Sequence, residues 1–163
     1  MKKWIVFILF ICFFSYARSE SGYDLWLRYQ KINNPSILAQ YKKQLSSATV
    51  LGSSHTNFVT RTELTNALKG LTGINYKVDS VSGLANTFIA GTVSASPVFD
   101  AVVTKEELKK ISEEGFIIKA KPGKTYITAH SDIAVLYGIF HYLRLLQTHQ
   151  SVNNLNIISS PKL

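Results

Sequence analysis

The segment 131–147 constrains the fold more than any other part of the chain, because it predicts a helix that is apolar on almost every side. Ser131 is a favourable N-cap residue, and Asp132 places a negative charge in the first turn, where the helix dipole stabilises it. Apolar residues then cover most of the circumference, at positions 133–136, 139, 140, 143, 145 and 146. Such a helix must be buried on nearly all sides. Since one sheet covers only one side, we expect a further neighbour on the other.

The same helix carries one narrow strip with polar tips, formed by Tyr137, His141 and Arg144 and followed by Thr148. Spacings of three and four place these side chains on one face. We interpret the strip as the polar seam of a contact between domains rather than as an active site. Gly138 costs about 1 kcal/mol relative to Ala in mid-helix, which predicts close approach of another backbone. Two alternatives are a central helix wrapped within its own small domain and an exposed helix through which the isolated chain dimerises.

A β-hairpin is predicted immediately before this helix. Pro122 and Gly123 occupy the central positions that a type II turn prefers. Phe116, Ile118 and Ala120 alternate along one arm, and residues 125, 127 and 129 alternate along the other. This period of two predicts that one face of the hairpin is buried.

Capping signals and apolar periodicity predict the remaining elements. Helices are expected at 36–45, at 60–71 behind a capping box at Thr60–Glu63, and from a second capping box at Thr104–Glu107 onward. Residues 53–57 have the composition of a loop, and strands are expected at 22–29, 74–78, 87–93 and 155–158. This mixed order predicts an α+β fold: a two-layer sandwich of a mixed β-sheet with helices packed on one face.

The N-terminus has the pattern of a signal peptide. Lys2 and Lys3 precede an unbroken apolar run over 4–14, and small residues follow up to Ser19. We therefore expect residues 1–19 to be a signal peptide, residues 20–158 to form the domain, and the protein to be periplasmic or extracellular. Cleavage would remove Cys12, the only cysteine, and so excludes a disulfide framework in the mature chain. No membrane attachment is expected after cleavage.

Few residues have a pattern that predicts chemistry. The formal charge of +8 falls to +5 without residues 1–19, as 15 basic and 10 acidic residues remain, and the lysines are scattered, which argues against nucleic acid. The doublets Glu106-Glu107 and Glu113-Glu114 are typical of an exposed helix and its cap. The histidines, at 55, 130, 141 and 149, lack the spacing of a metal site. The sequence therefore predicts no catalytic, substrate-binding or metal-binding residue and no cofactor.

The helix 131–147 resembles the segment that closes the N-terminal domain of the α-glucuronidases of glycoside hydrolase family 67. Residues 22–29 are similar to the opening strand of that domain, and 115–118 are similar to its Glu-Gly-Tyr-Val-Ile strand. Residues 155–158 with Pro161-Lys162 are similar to its exit toward the next domain. The resemblance covers most of 22–162. The helix motif is its specific part, and 45–97 match in pattern only.

The resemblance implies a role for the chain within a larger enzyme. In that family a catalytic β/α-barrel follows and removes α-1,2-linked (4-O-methyl)glucuronic acid from xylo-oligosaccharides with inversion. The acidic residues that inversion requires belong to the barrel, and this sequence stops at Leu163, before it. We therefore expect a non-catalytic accessory domain, inactive alone, with residues 159–163 starting a linker. Its expected partner is the barrel, through which it would meet xylan-derived oligosaccharides.

A different class of function remains as the alternative. The chain could be a free-standing carbohydrate-binding or interaction module in which Trp26 and several tyrosines stack on sugar rings. The competing interpretation of these aromatic residues is that they are strand residues of the core.

Overall fold

The computed structural model describes residues 29–81 and 87–161. The predicted signal peptide and nearly all of the predicted strand 22–29 lie outside the described residues. The helices are α1 Pro35–Gln44, α2 His55–Thr72, the single turn α3 Lys105–Leu108 and α4 Asp132–Gln147, with a 3-10 turn at Val93–Ala95. The strands are β1 Ala48–Val50, β2 Val78–Asp79, β3 Phe88–Thr92, β4 Phe116–Lys121, β5 Lys124–Ala129 and β6 Leu155–Ser159.

The strands of the described part form one mixed sheet in the order β2-β1-β3-β5-β4-β6. The first four strands in this order run parallel, whereas β4 is antiparallel to both β5 and β6. The predicted α+β class, with a mixed sheet, is therefore confirmed. Among the described residues, no helix is both long and apolar enough to cross a membrane.

The β4-β5 hairpin has the predicted turn and register. Lys121 pairs with Lys124 across the turn, and Phe116 pairs with Ala129 at the open end. Gly123 adopts φ 82°, the positive value that the third position of a type II turn requires. The register places Phe116, Ile118 and Ala120 on the same face as 125, 127 and 129, as their alternation predicts.

The main core lies between this face of the sheet and the long helices. It combines Ile118 and Ile127 of the sheet with Leu64 and Leu68 of α2 and with the inner side of α4. Tyr41 of α1 also belongs to it, and its hydroxyl donates to the carbonyl of Gln150 at 2.6 Å. Burial of these apolar side chains supplies most of the stability, at about 25 cal/mol per Å².

Gly138 brings α4 close to the sheet. A Cβ atom at this position would lie 2.7 Å from Ile127 Cγ2 and 3.3 Å from Phe116 Cβ, so only glycine permits this approach. The helix does approach a neighbour closely at Gly138, but the neighbouring atoms belong to side chains of the sheet in the same domain, not to another backbone as predicted.

The opposite face of the sheet is partly covered by the segment 93–111, which includes α3. Phe99 packs with Leu51 and Ile89 in one small cluster. Ile111 packs with Ile117 in another. This segment does not cover the sheet next to the hairpin turn. Near the turn, the face of β4 and β5 that points away from the helices is therefore more exposed than it is at the open end of the hairpin.

The start of α2 differs from the prediction. The helix begins at His55, and Ser54 is its N-cap, because the Ser54 hydroxyl accepts from the Asn57 amide at 3.1 Å. The predicted loop at 53–57 is therefore largely the first helical turn. Thr60 is not a cap: its hydroxyl donates to the Thr56 carbonyl within the helix. The predicted capping box failed because the motif recurs inside helices, where a threonine can bond to the preceding turn instead.

Glu63 also has a role other than the predicted cap. Its carboxylate is buried and accepts a hydrogen bond of 2.6 Å from the Tyr29 hydroxyl. The predicted strand 74–78 is reduced to β2, which pairs with β1 rather than with β3. The capping box at Thr104–Glu107, in contrast, is confirmed on both of its hydrogen bonds.

Candidate interdomain surface

The predicted polar seam lies along one side of α4. Ser131 fixes the start of the helix, since its hydroxyl accepts from the Ala134 amide at 3.3 Å and donates to the Glu113 carbonyl at 2.8 Å. From this start, the helical period brings Tyr137 and Arg144 to the surface and leaves His141 half-buried between them. The structure thus brings the three predicted seam residues together on one helix face.

His141 is held between the sheet and Arg144. Its ring lies 5.4 Å from the Phe116 ring, centroid to centroid, at an interplanar angle of 53°. Nη2 of Arg144 lies 3.2 Å from His141 Nδ1, and because a guanidinium only donates, the imidazole accepts at Nδ1. Partial burial, and secondly the charge of Arg144, lower the pKa of His141 below its ordinary 6.5. His141 is therefore neutral at pH 7, and the positive charge of the seam resides on Arg144.

The seam lies close to an edge of the sheet. Phe116, the partner of the His141 ring, pairs with Ser159 of β6, and β6 is the last strand in the sheet order. Tyrosine and arginine are both enriched among the residues that dominate binding at protein interfaces. The seam therefore has the chemistry of recognition, with a tyrosine hydroxyl, a neutral imidazole and a cation as its polar groups.

Most of the remaining apolar surface of α4 is covered within the domain. The sheet and α2 both pack against it. Ile133 and Tyr137, at 41% and 40%, are its exposed large hydrophobic residues. The composition of α4 is thus largely explained by the fold itself, and its exposed large apolar side chains are limited to the N-terminal half of the helix.

The most exposed aromatic residue of α2 is Phe58. Phe58 is 61% exposed and stacks with His55 at 6.4 Å between ring centroids. The N-termini of α2 and α4 are joined by a hydrogen bond of 2.7 Å from the Ser54 hydroxyl to Asp132 Oδ2. The seam and Phe58 nevertheless belong to different helices, so their contributions to a contact can be measured separately.

Among the acidic doublets considered for chemistry, Glu107 has structural contacts. Glu107 closes the capping box of α3 and forms an ion pair of 2.5 Å with Lys119. The hydrogen bond from Lys119, and after it the hydrogen bond from the Thr104 amide, lower the pKa of Glu107 below its ordinary 4.5. Its carboxylate is therefore ionised at neutral pH and is not suited to act as a general acid. In the described part of the chain, no three His, Cys, Asp or Glu side chains are grouped as a metal site would need.

One feature of the surface was not predicted. A cleft of about 680 Å³ lies beside the hairpin turn, and we call it the hairpin cleft. It is lined by Ala101, Val102, Lys119, Ala120, Lys121, Pro122, Lys124, Tyr126, Leu155 and Asn156. The lysines read as scattered in the sequence, but strand pairing gathers three of them. The alternation of 119, 121, 124 and 126 around the turn is the sequence signal that places them on one face.

A family model and two curated proteins match most of this chain. A family model described as the N-terminus of glycosyl hydrolase family 67 matches residues 25–142. The α-glucuronidase of Hypocrea jecorina is 26% identical over 132 residues, which are 78% of this chain and 16% of that protein. The probable α-glucuronidase A of Aspergillus clavatus is 26% identical over 150 residues, which are 90% of this chain and 17% of that protein.

A solved structure is also similar over part of the chain. It is a family GH115 4-O-methyl-α-glucuronidase with specificity for decorated arabinogalactans, 19% identical, with a TM-score of 0.47 over 61% of this chain and 14% of that one. The chain spans about one sixth of the length of the curated relatives. Because the family model matches well over half of its residues, the chain belongs to glycosyl hydrolase family 67 and corresponds to the N-terminal domain of that family.

Proposed function

We propose that this chain is the non-catalytic N-terminal domain of an exported α-glucuronidase and that it packs against a catalytic β/α-barrel. The observation that carries the proposal is the family match over 25–142, joined to two relatives that are named α-glucuronidases and are much longer. A segment that corresponds to 16% and 17% of those relatives leaves most of each enzyme for another domain.

The contacts of the acidic side chains support a non-catalytic role. Glycoside hydrolysis with inversion uses a general acid and a general base about 6.5–9.5 Å apart, with room for a water molecule. Here Glu63 accepts from Tyr29, Glu107 from Lys119, and Asp132 from Ser54. These carboxylates stabilise the fold, and a carboxylate engaged in this way is poorly placed to exchange protons with a sugar.

The seam of Tyr137, His141 and Arg144 is the proposed contact with the barrel. Its exposed ring and its cation are supported by a rigid base, because Gly138 holds α4 against the sheet. A rigid presentation lowers the entropy that is lost when two domains pack.

Export follows from the signal peptide proposed for residues 1–19. The proposed parent enzyme acts outside the cytoplasm on xylo-oligosaccharides that carry α-1,2-linked (4-O-methyl)glucuronic acid. The predicted localisation, periplasmic or extracellular, rests on the charged start and the apolar run 4–14. N-terminal sequencing of the secreted protein is the direct measurement, and an N-terminus that retains Met1 would contradict cleavage.

The activity experiment is simple. The purified chain is incubated with xylo-oligosaccharides that carry one glucuronic acid, and released glucuronic acid is measured. We expect no release above the rate without protein. Release that follows the chain through purification would show that catalysis resides in this domain and would overturn the proposal.

The contact with the barrel is tested in the protein encoded by the complete reading frame, which we expect to include a barrel. Tyr137→Ala should destabilise that protein by about 2 kcal/mol, as truncation of an interface anchor does. The same substitution in the 163-residue chain should cost well under that, because the Tyr137 side chain is 40% exposed there.

Phe58→Ala is the matched control, since Phe58 is also an exposed aromatic residue but lies on α2. Its effect should be similar in the long and short proteins. An equal effect of Tyr137→Ala in both proteins would place the barrel contact elsewhere, and a reading frame without a barrel would refute the accessory role.

The alternative, a free-standing binding module, is favoured by one observation, the hairpin cleft. The aromatic residue first considered for it, Trp26, lies outside the described residues. The cleft is compatible with both an accessory domain and a free-standing module. The complete reading frame separates these two functions, because only the first requires a barrel.

A further inference from the structure

We propose that the hairpin cleft is a binding site for an acidic oligosaccharide, with lysines that hold the carboxylate of a uronic acid and a tyrosine that contacts a sugar ring. The choice of a glucuronate-bearing chain as the ligand rests on the proposed function. The existence of an anion site rests on the geometry alone.

The register of the sheet builds the floor of the cleft. Lys119 of β4 pairs with Tyr126 of β5 on one side and with Asn156 of β6 on the other, which makes a row across three strands. The next row toward the turn is the pair of Lys121 and Lys124. These five residues share the face opposite α4, since the neighbouring positions in each strand point to the helices.

The cations of this face are concentrated near the hairpin turn. Lys121 and Lys124 lie directly opposite one another, and like charges at paired positions destabilise a sheet. Lys119 is balanced by Glu107, and the two side chains are only 21% and 16% exposed. The lining and this one carboxylate together have a formal charge of +2. A carboxylate that binds beside the turn can accept charge-assisted hydrogen bonds from these lysines.

The aromatic residue of the floor is held in place from below. Tyr126 packs against the cluster of Leu51, Ile89 and Phe99, so its ring is fixed while it still lines the cleft. Tyrosine presents an apolar ring and a polar hydroxyl, which suits the mixed surface of a sugar.

The walls of the cleft combine apolar and polar groups. Val102 and Pro122 supply apolar contacts, and the Asn156 amide can both donate and accept hydrogen bonds. A volume of about 680 Å³ lies within the range of small-ligand sites, about 300–1,000 Å³. The cleft therefore has the size, the cations and the ring surface that an acidic oligosaccharide requires.

Nucleic acid fits this cleft less well. Single-stranded nucleic acid is bound along a basic groove by several aromatic side chains, one for each stacked base. The hairpin cleft has Tyr126 as its aromatic lining residue and groups its cations at one end of a hairpin. An isolated carboxylate on a sugar chain matches this arrangement more closely.

The test is a titration of the 15N-labelled chain, followed by NMR, with three probes. The first is a xylo-oligosaccharide with one α-1,2-linked glucuronic acid, the second is its methyl ester, and the third is the undecorated oligosaccharide. We expect shift changes around 101–102, 119–126 and 155–156 with the first probe, and affinity at least about tenfold weaker for the other two, as loss of a charge-assisted contact implies. Equal affinity for the ester would overturn the proposal.

Charge substitutions locate the site. Lys121→Ala with Lys124→Ala should weaken binding of the acidic probe about tenfold or more. Lys69→Ala with Lys77→Ala is the control: it removes the same charge, but Lys69 lies on α2 and Lys77 lies beside β2, at the other edge of the sheet. The control should change affinity less than twofold. An equal loss in both variants would mean attraction by net charge and would refute a site at the cleft.

Glu107→Gln is expected to strengthen binding. Glutamine can keep the hydrogen bond to the Thr104 amide, so α3 retains its cap, while Lys119 loses its competing carboxylate. Affinity for the acidic probe should rise several-fold, and affinity for the ester should not change. Weaker binding by this variant, with an unchanged circular dichroism spectrum, would count against the proposal.

The failure of this proposal can be distinguished from that of the proposed function. If the complete reading frame lacks a barrel and ester-sensitive binding persists, the accessory role fails and the cleft stands. If a barrel is present and the acidic probe does not bind, the cleft fails alone.

Discussion

Replacing Gly138 by alanine tests how the central helix is seated. In an unobstructed helix interior, Gly→Ala stabilises by about 1 kcal/mol. Here the added Cβ would lie 2.7 Å from Ile127 Cγ2 and 3.3 Å from two atoms of Phe116. The first distance is well inside van der Waals contact, and both neighbours are buried strand residues that cannot swing away.

The expected magnitude follows from two opposing effects. Overpacking of this kind costs about 1–3 kcal/mol. Subtraction of the gain of about 1 kcal/mol in helix propensity leaves a net loss of about 1 kcal/mol. The sign of the change in unfolding free energy is the informative result, because helix propensity predicts a gain in stability and packing predicts a loss.

The assay is urea unfolding followed by far-UV circular dichroism. Gly138→Ala should lower the midpoint without changing the denaturant slope, since the surface exposed on unfolding is unchanged. Asn66→Ala on the exposed side of α2 is the control for helix propensity. It should stabilise the protein by a few tenths of a kcal/mol, about the difference in helix propensity between the two residues.

A double-mutant cycle identifies the clash. Ile127→Ala alone should cost about 2–5 kcal/mol. Combined with Gly138→Ala, the loss should be smaller than the sum of the two by about 1–3 kcal/mol, because the obstructing methyl group is gone. A stabilisation of about 1 kcal/mol by Gly138→Ala, or strict additivity in the cycle, would refute the close packing of α4 on the sheet.

Three further predictions concern a cap and two titrations. Ser131→Ala should cost about 1 kcal/mol in urea unfolding because the Ala134 amide loses its acceptor, whereas Ser131→Asn should recover most of it. The pKa of Glu107 is lowered in the folded state, so the ionised carboxylate contributes stability that is fully present above pH 4.5 and is lost as pH falls through the folded pKa. Glu107→Gln should flatten the dependence of the unfolding free energy on pH in that range. An unchanged pH dependence would be inconsistent with the ion pair. The pKa of His141 is also lowered, so the stability linked to its neutral form is complete above pH 6.5 and declines as pH falls below it; NMR titration should find its midpoint below 6.5, and Arg144→Gln should move it upward.

Local signals predicted the elements that local interactions stabilise. The hairpin turn needs a positive φ at Gly123, the capping box at Thr104 needs only four consecutive residues, and α4 starts at the expected Ser131. Each of these features is decided within one or two turns of chain. The prediction at Thr60 failed because a threonine inside a helix and a threonine at its N-terminus can use the same hydroxyl differently.

The surface features depended on the tertiary structure. The seam residues 137, 141 and 144 could be placed on one helix face from spacing alone, but the contact of His141 with Phe116 could not. The hairpin cleft was missed altogether, since its third wall comes from β6, about thirty residues beyond the turn along the chain. The β4-β5 hairpin places the lysines on one face, and the pairing of β4 with β6 adds Asn156 beside them.

By itself, the sequence determined the α+β class, the hairpin with its register, and a central helix that must be buried, because periodicity and turn chemistry are properties of neighbouring residues. Only the tertiary structure decided what buries that helix. The sheet lies under Gly138 and α2 also packs against the helix, so few large apolar side chains of α4 remain exposed for a partner. The tertiary structure also decided that β2 pairs with β1 and that three lysines share one cleft. The physical reason is that sheet order and helix packing are contacts between residues far apart in the chain, which a local pattern does not specify.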